Sequence, residues 1–268
     1  MKICILVIYN DGEDYREMLK IQRSYLHKYD NVQSYFTMFR ENQLNPIEIK
    51  GDFIYVKGKE SYLGILQKTV DAFEYIIKDI GNFDYFIRTN MSTIVNIPAL
   101  QDFCQTLPNK HVYTSGIMVN LQWLDEPFGI TDDSLWGTKY ASGTSIIMSK
   151  DVVKHIVDNK RLLRYDVVDD VAIGVYMTKY LPIVYTYDKM ASFYSVPENI
   201  ILEQIDNKTV FFRNRSSNNR KKDIKHMQII SSELYSSFNQ YYGIGIGIML
   251  VGYLVIHSYY TDHSKHKK

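Results

Sequence analysis

Cysteine is scarce in this chain: Cys4 and Cys104 are the only two in 268 residues. They lie far apart in apolar surroundings and form no metal-ligand spacing. Two are too few for a disulfide framework, so both read as reduced core thiols. Excess charge is scarce as well, since 31 Lys and Arg face 30 Asp and Glu. A formal charge of +1 supplies no bulk attraction to nucleic acid, which is excluded as a partner, and limits any electrostatic role to local clusters. No internal repeat or low-complexity linker divides the chain. The apolar run 2–9 lacks a small-residue cleavage site and is followed by Glu13 and Asp14. It therefore reads as a buried strand rather than a signal peptide.

What is present is enough apolar material, 46% of residues, to bury a full core. After the first strand, which ends at Asn10-Asp11-Gly12, the spacing predicts a helix from Asp14 to about Lys28. A short strand follows at Phe53–Val56. A helix over 61–80 is marked by Leu63, Leu66, Val70, Phe73, Ile77 and Ile80. The segment from Phe83 to Asn96 then alternates aromatic and β-branched residues behind Gly81-Asn82, and turns polar at Arg88, Thr89, Asn90, Ser92 and Thr93. It reads as a buried strand whose C-terminal end forms the ligand-binding edge of an open α/β sheet. The order strand, helix, strand, helix, strand predicts a parallel sheet covered on both faces. Further on, the pattern predicts a helix at about 98–107, a strand at 111–115 and a long irregular loop at 120–140 carrying Trp123 and Trp136. After these come a strand ending at Ser149 as N-cap of a helix 150–159, a helix 170–180 and a late strand at 182–186. Residues 211–226 are strongly basic, with Arg213, Arg215, Arg220, Lys221, Lys222 and Lys225.

Four of these segments carry more than periodicity: Lys68-Thr69, Arg88 to Asn96, Tyr140-Ala141-Ser142-Gly143 with its following strand, and Asp169-Asp170-Val171 with Gly174. In that order and spacing they resemble the β-1,3-glycosyltransferase (galactosyltransferase and Fringe) superfamily. The resemblance implies one GT-A-like, Rossmann-like α/β domain over 1–235, with a mostly parallel open sheet and helices on both faces. It implies an inverting glycosyltransferase that moves a sugar from a nucleotide sugar, uridine-linked, to a glycan hydroxyl. Asp170 takes the position of the family's catalytic Asp, the general base, and Asp169 replaces the Glu before it. Donor binding is expected at Asp11, Arg88, Asn90, Ser92, Arg213 and Arg215. The acceptor side is expected at Trp136, Tyr140 and Gly143.

One departure stands out. The family's acidic triplet, which holds a divalent metal against the sugar nucleotide, is replaced by Asn90-Met91-Ser92. Mn²⁺ or Mg²⁺ prefers carboxylate oxygens and the usual ligands are absent, so no metal ligand is assigned. A metal held by other acids stays open as an alternative to metal-independent transfer. Arg88 and Arg213 are expected to offset the diphosphate charge instead, because guanidinium groups bind phosphate oxygens bidentately. The same departure supports a second reading: a non-catalytic, glycosyltransferase-like protein that binds a glycan or nucleotide at a membrane.

From Tyr241 to Tyr260 no Asp, Glu, Lys or Arg occurs, and tyrosines bracket a run of apolar residues and glycine. Gly is common in membrane helices and Tyr marks their edges, so 241–260 is expected to form a C-terminal hydrophobic transmembrane helix. The alternative is a terminal core element, because the strictly apolar run is shorter than the roughly 20 residues a span needs. Asn90-Met91-Ser92, Asn207-Lys208-Thr209 and Asn214-Arg215-Ser216 are glycosylation acceptor patterns. A luminal enzyme would place one of them in its own donor site. The expectation is therefore a membrane-anchored protein with a cytosolic catalytic domain.

Overall fold

The structure, a computed structural model, describes residues 1–181, 189–216 and 219–235. The strand expected at 182–186 and the membrane segment expected at 241–260 lie outside the described residues. Among the described residues no helix is long and apolar enough to cross a membrane.

Among the described residues twelve strands and six α-helices follow one another. In the first third lie β1 (Ile3–Ile8), α1 (Glu13–Leu26), β2 (Val32–Arg40), β3 (Ile47–Lys50), β4 (Phe53–Lys57) and α2 (Ile65–Tyr75). Helix α2 continues through a π-helical turn, Ile76–Ile80, into Gly81. Next come β5 (Tyr85–Asn90), β6 (Thr93–Val95), α3 (Ile97–Gln105), β7 (Tyr113–Thr114), β8 (Met118–Asn120) and β9 (Lys139–Ala141). The remainder is β10 (Ser145–Ser149), α4 (Lys150–Asp158), α5 (Asp169–Tyr180), β11 (Phe193–Val196) and β12 (Phe211–Asn214). Residues 220–235 form a last helix, α6.

The seven-stranded sheet has the order β3-β4-β2-β1-β5-β10-β7. Its centre, β4-β2-β1-β5, is parallel throughout. Strands β3 and β10 run against it, and β7, antiparallel to β10, restores the common direction. The expected mostly parallel sheet is thus found. The alternation of side chains along a strand explains why both faces are covered. Ile3, Ile5 and Val7 of β1 enter a core with α1, α3 and α6, while Cys4 and Leu6 enter the opposite core with α2, α4 and α5.

Strand β2 is a correction to the sequence reading, which placed no strand between α1 and residue 53. It pairs parallel with both β1 and β4, at the middle of the sheet. Polar Ser34 and Thr37 occupy enclosed positions, 5% and 0% exposed, which blurs the apolar alternation. Ser149 does precede α4, but its hydroxyl makes no cap bond. It donates instead to Asp151 at 2.6 Å and accepts from the Val112 N–H at 3.0 Å.

A smaller sheet, β11-β12-β6, sets the geometry of the site. After β5 the chain turns through Met91 and Ser92, and β6 pairs antiparallel with β12, which places Thr93 opposite Arg213. Buried side chains clamp this crossing. Gln22 Nε2 donates to the carbonyls of Met91 at 3.1 Å and Thr93 at 2.7 Å. Tyr25 stacks on Tyr235 with centroids 4.6 Å apart, and Tyr235 Oη donates to Val95 O at 2.6 Å while accepting from Ile97 N–H. Replacing Gln22 by Leu removes the side-chain donor from two enclosed carbonyls. An unsatisfied buried acceptor costs about 1–3 kcal/mol, so Gln22→Leu should lower the urea midpoint accordingly with an unchanged denaturant slope.

Candidate active site

The C-terminal end of the parallel strands opens into a cleft of about 730 Å³. Its floor is built from the ends of β1 and β5, one wall from the turn before β10 and the start of α5, and the other from β12 and the region after it. This is where an open α/β sheet binds ligands, because the loops diverge there.

On the first wall Asp169 and Asp170 begin α5. Their charges sit in its first turn, where they complement the helix dipole. Asp169 is buried and forms an ion pair with Arg88 of β5, Nη2 to Oδ2 2.6 Å, with side chains 3% and 5% exposed. Asp170 is half-buried on the cleft wall. Its Oδ2 accepts from Gly143 N–H at 2.9 Å and its Oδ1 from Val171 N–H at 2.9 Å. Burial, reinforced by the charge of Asp169, pushes the Asp170 carboxyl up to about 6 against these N–H contacts and Arg88. Gly143 has no room for a side chain: a Cβ there would lie 2.5 Å from Arg88 Nη1. At Gly174, one α5 turn on, a Cβ would lie 2.4 Å from that of Tyr140, so glycine lets the helix close onto β9. The two glycines of the sequence motifs are both close-approach positions.

At the cleft lining, Lys68 reaches from α2 to Tyr9 O at 3.0 Å and pairs with Glu60 at 2.8 Å. It is 1% exposed, and its burial holds the ammonium pKa below the usual lysine range. Lys68 has a structural task that the sequence left without a role: it ties the α2 wall to the end of β1.

On the second wall the residues in place of the acidic triplet have other partners. Asn90 Oδ1 accepts from Arg213 Nη1 at 2.6 Å and from Thr93 Oγ1 at 2.9 Å. Ser92 Oγ accepts from the same Arg213 nitrogen, and Met91 is 1% exposed in the core beside α1. These residues do not fit a divalent metal. The oxygens are neutral and already bonded to a cation, and hard cations prefer carboxylates. No group of three His, Cys, Asp or Glu side chains suited to a metal occurs among the described residues.

Most of the residues expected at the site meet here: Asp169, Asp170, Arg88, Asn90, Ser92, Arg213, Arg215, Tyr140 and Gly143 all line the cleft. Two do not. Asp11 pairs with Arg16 at 3.0 Å outside the lining, and Asn10 faces the cleft in its place. Trp136 is 50% exposed away from the cleft, whereas Trp123 and Asp125 of the same loop line it. Tyr62 and Phe128, also lining residues, pack nearby with centroids 4.4 Å apart and ring planes tilted by 40°. Nothing in sequence spacing distinguishes the two tryptophans. Arg88, expected to face the donor, has its charge met by Asp169.

The model of the galactosyltransferase family matches residues 38–184, more than half of the chain. That span contains the Arg88, Gly143 and Asp170 segments and ends before Arg213. No curated protein matches the sequence. Among solved structures, one similar chain is a glycosyltransferase involved in the glycosylation of the major capsid of PBCV-1. It is 12% identical with a TM-score of 0.47, over 85% of this chain and 100% of that one. Another is the apo-form glycosyltransferase GlyE of Streptococcus pneumoniae TIGR4, 13% identical with a TM-score of 0.41, over 88% of this chain and 64% of that one.

The buried ion pair gives a direct test of this wall. Removing one partner of such a pair leaves an uncompensated charge and costs about 3–5 kcal/mol. Arg88→Ala should lose that much stability in chemical denaturation, and Arg88→Ala with Asp169→Ala should lose less than the sum of the two single changes. Additive losses would mean that the pair is not coupled.

Proposed function

Because the chain belongs to the galactosyltransferase family, we propose that it is an inverting glycosyltransferase that moves a sugar from a uridine-linked nucleotide sugar to a glycan hydroxyl. The observation that carries this reading is the placement of Asp170. A half-buried carboxylate, fixed by two backbone N–H groups, stands on the wall of a large cleft at the ligand edge of the sheet. In the proposed step the acceptor hydroxyl oxygen attacks the anomeric carbon as Asp170 takes its proton. The bond from that carbon to the diphosphate oxygen breaks, and the nucleoside diphosphate leaves with the electron pair. One attack from the opposite face inverts the anomeric centre. Trp123 and Tyr140 supply the apolar surface against which an acceptor sugar rests, in the role first expected of Trp136.

A base must be unprotonated to act. With the carboxyl of Asp170 near 6, turnover should decline as the pH falls through about that value. The stability effect has the opposite sense. A carboxyl raised from 3.8 to about 6 binds its proton more readily when folded. Its ionisation therefore costs stability above pH 6, and that cost is relieved as the pH drops toward 4. Asp170→Asn keeps an acceptor for Gly143 N–H and removes the charge. It should cut kcat by about 10²–10⁴-fold, abolish the acidic limb near pH 6 and leave the melting temperature equal or higher. Unchanged turnover in Asp170→Asn would remove the residue from the mechanism.

The replaced triplet favours the second reading, a glycosyltransferase-like protein that binds a glycan or nucleotide without turnover. Release of nucleoside diphosphate across a panel of nucleotide sugars separates the two, since the second reading requires ligand binding with no release from any donor. The membrane anchor at 241–260 and the cytosolic placement of the domain belong to the same proposal, on sequence alone. Full-length protein should resist carbonate extraction from membranes, and protein ending at residue 240 should not.

A further inference from the structure

Three arginines beyond the family match converge on the second wall of the cleft: Arg213, Arg215 and Arg220. Their positive charge is only partly neutralised. Arg220 pairs with the buried Asp223 at 2.9 Å, and its guanidinium lies 5.9 Å from the ring centre of Tyr15. Asp223 is also occupied by Ser216 N–H at 2.7 Å. Among the described residues Arg213 bonds to neutral oxygens, those of Asn90 and Ser92. Among the described residues no carboxylate pairs with Arg213 or Arg215. Burial and repulsion from Arg220 and Arg215 push the Arg213 guanidinium down to about 10. A half-buried cation among neutral acceptors and like charges is costly until an anion joins it.

The register explains how this arrangement arises. Antiparallel pairing of β12 on β6 sets Arg213 across from Thr93 and delivers its guanidinium to the two side chains that stand in place of metal-binding acids. A carboxylate at position 90 or 92 would bind that guanidinium as an ion pair and spend its charge, whereas an amide and a hydroxyl hold it in position and leave the charge available. We propose, resting on the transfer reading above, that Arg213 replaces the divalent ion. With Arg215 and Arg220 it forms a metal-independent site for the diphosphate of a nucleoside diphosphate. Arg213 Nη1 is anchored by Asn90 and Ser92, and the remaining N–H donors of the fork meet phosphate oxygens. When the bond from the anomeric carbon to the diphosphate oxygen breaks, these fixed cations offset the charge that grows on the departing oxygen.

Isothermal titration of the full chain with UDP, GDP and inorganic diphosphate, first in EDTA and then with Mn²⁺, tests the proposal without relying on turnover. At least one of the three should bind in EDTA, with an affinity that Mn²⁺ changes by less than about threefold. A lost charge-assisted contact weakens binding by about tenfold or more, which is the expected result for Arg213→Ala. Trp136→Ala, outside the cleft, should bind as the unmodified protein does. Thermal unfolding without ligand checks that Arg213→Ala is folded. If it is not, Arg215→Ala carries the test, because that side chain is exposed, and it should weaken binding severalfold. The proposal is overturned if none of the probes binds in EDTA, if binding requires Mn²⁺, or if the folded arginine variant binds unchanged. Diphosphate binding without turnover would strike the transfer reading alone. Turnover with Mn²⁺-dependent binding would strike this inference alone.

Discussion

Arg88 leaves the end of β5 and meets Asp169 at the start of α5, 2.6 Å away, with both side chains almost fully enclosed. Two charges in such a place must compensate each other, because neither has enough water. The pair therefore fixes the position of α5 against the sheet, and Asp170, the next residue, inherits that position. Gly143 completes the arrangement, since its backbone approaches Arg88 too closely for any Cβ and its N–H is bonded to Asp170. The geometry of the candidate base is thus a consequence of a structural ion pair one residue away.

The cleft separates its charges by wall. Acids gather at the start of α5, and the opposite wall carries Arg213 of β12 with Arg215 and Arg220 beyond it, of which Arg220 is paired with Asp223. A reaction that takes a proton on one side and releases an anion on the other requires that separation. Placing a base beside the leaving-group cations would instead stabilise its ionised form and weaken its hold on a proton. The Lys68–Glu60 pair also lines the cleft, and its two charges match each other.

Rigidity of the second wall comes from behind it. Gln22 and Tyr25 of α1 and Tyr235 of α6 bind the main chain of residues 91–97, so the turn bearing Asn90 and Ser92 is held from the core side. Thr93 donates to the Asn90 amide oxygen and holds that oxygen toward Arg213. Backbone groups that would otherwise need solvent are met by buried side chains, so the site can be polar on its open face and packed on the other.

The amino-acid sequence alone determined the parallel centre of the sheet, the two-sided helical cover and the polar end of β5, because these follow from side-chain periodicity and strand order. It also marked Asp170, Gly143 and Gly174, whose residue types are constrained by a helix start and two close backbone approaches. Strand β2 escaped because the buried Ser34 and Thr37 interrupt its apolar pattern. Tertiary structure decided everything that depends on distant residues meeting. It paired Arg88 with Asp169, selected Trp123 over Trp136 for the cleft and turned Asp11 away to Arg16. Above all it brought Arg213 to Asn90 and Ser92, more than a hundred positions apart in the chain. That contact depends on the register of β12 on β6, whose apolar residues pack in the core shared with α1, α3 and α6, and it leaves no trace in local spacing.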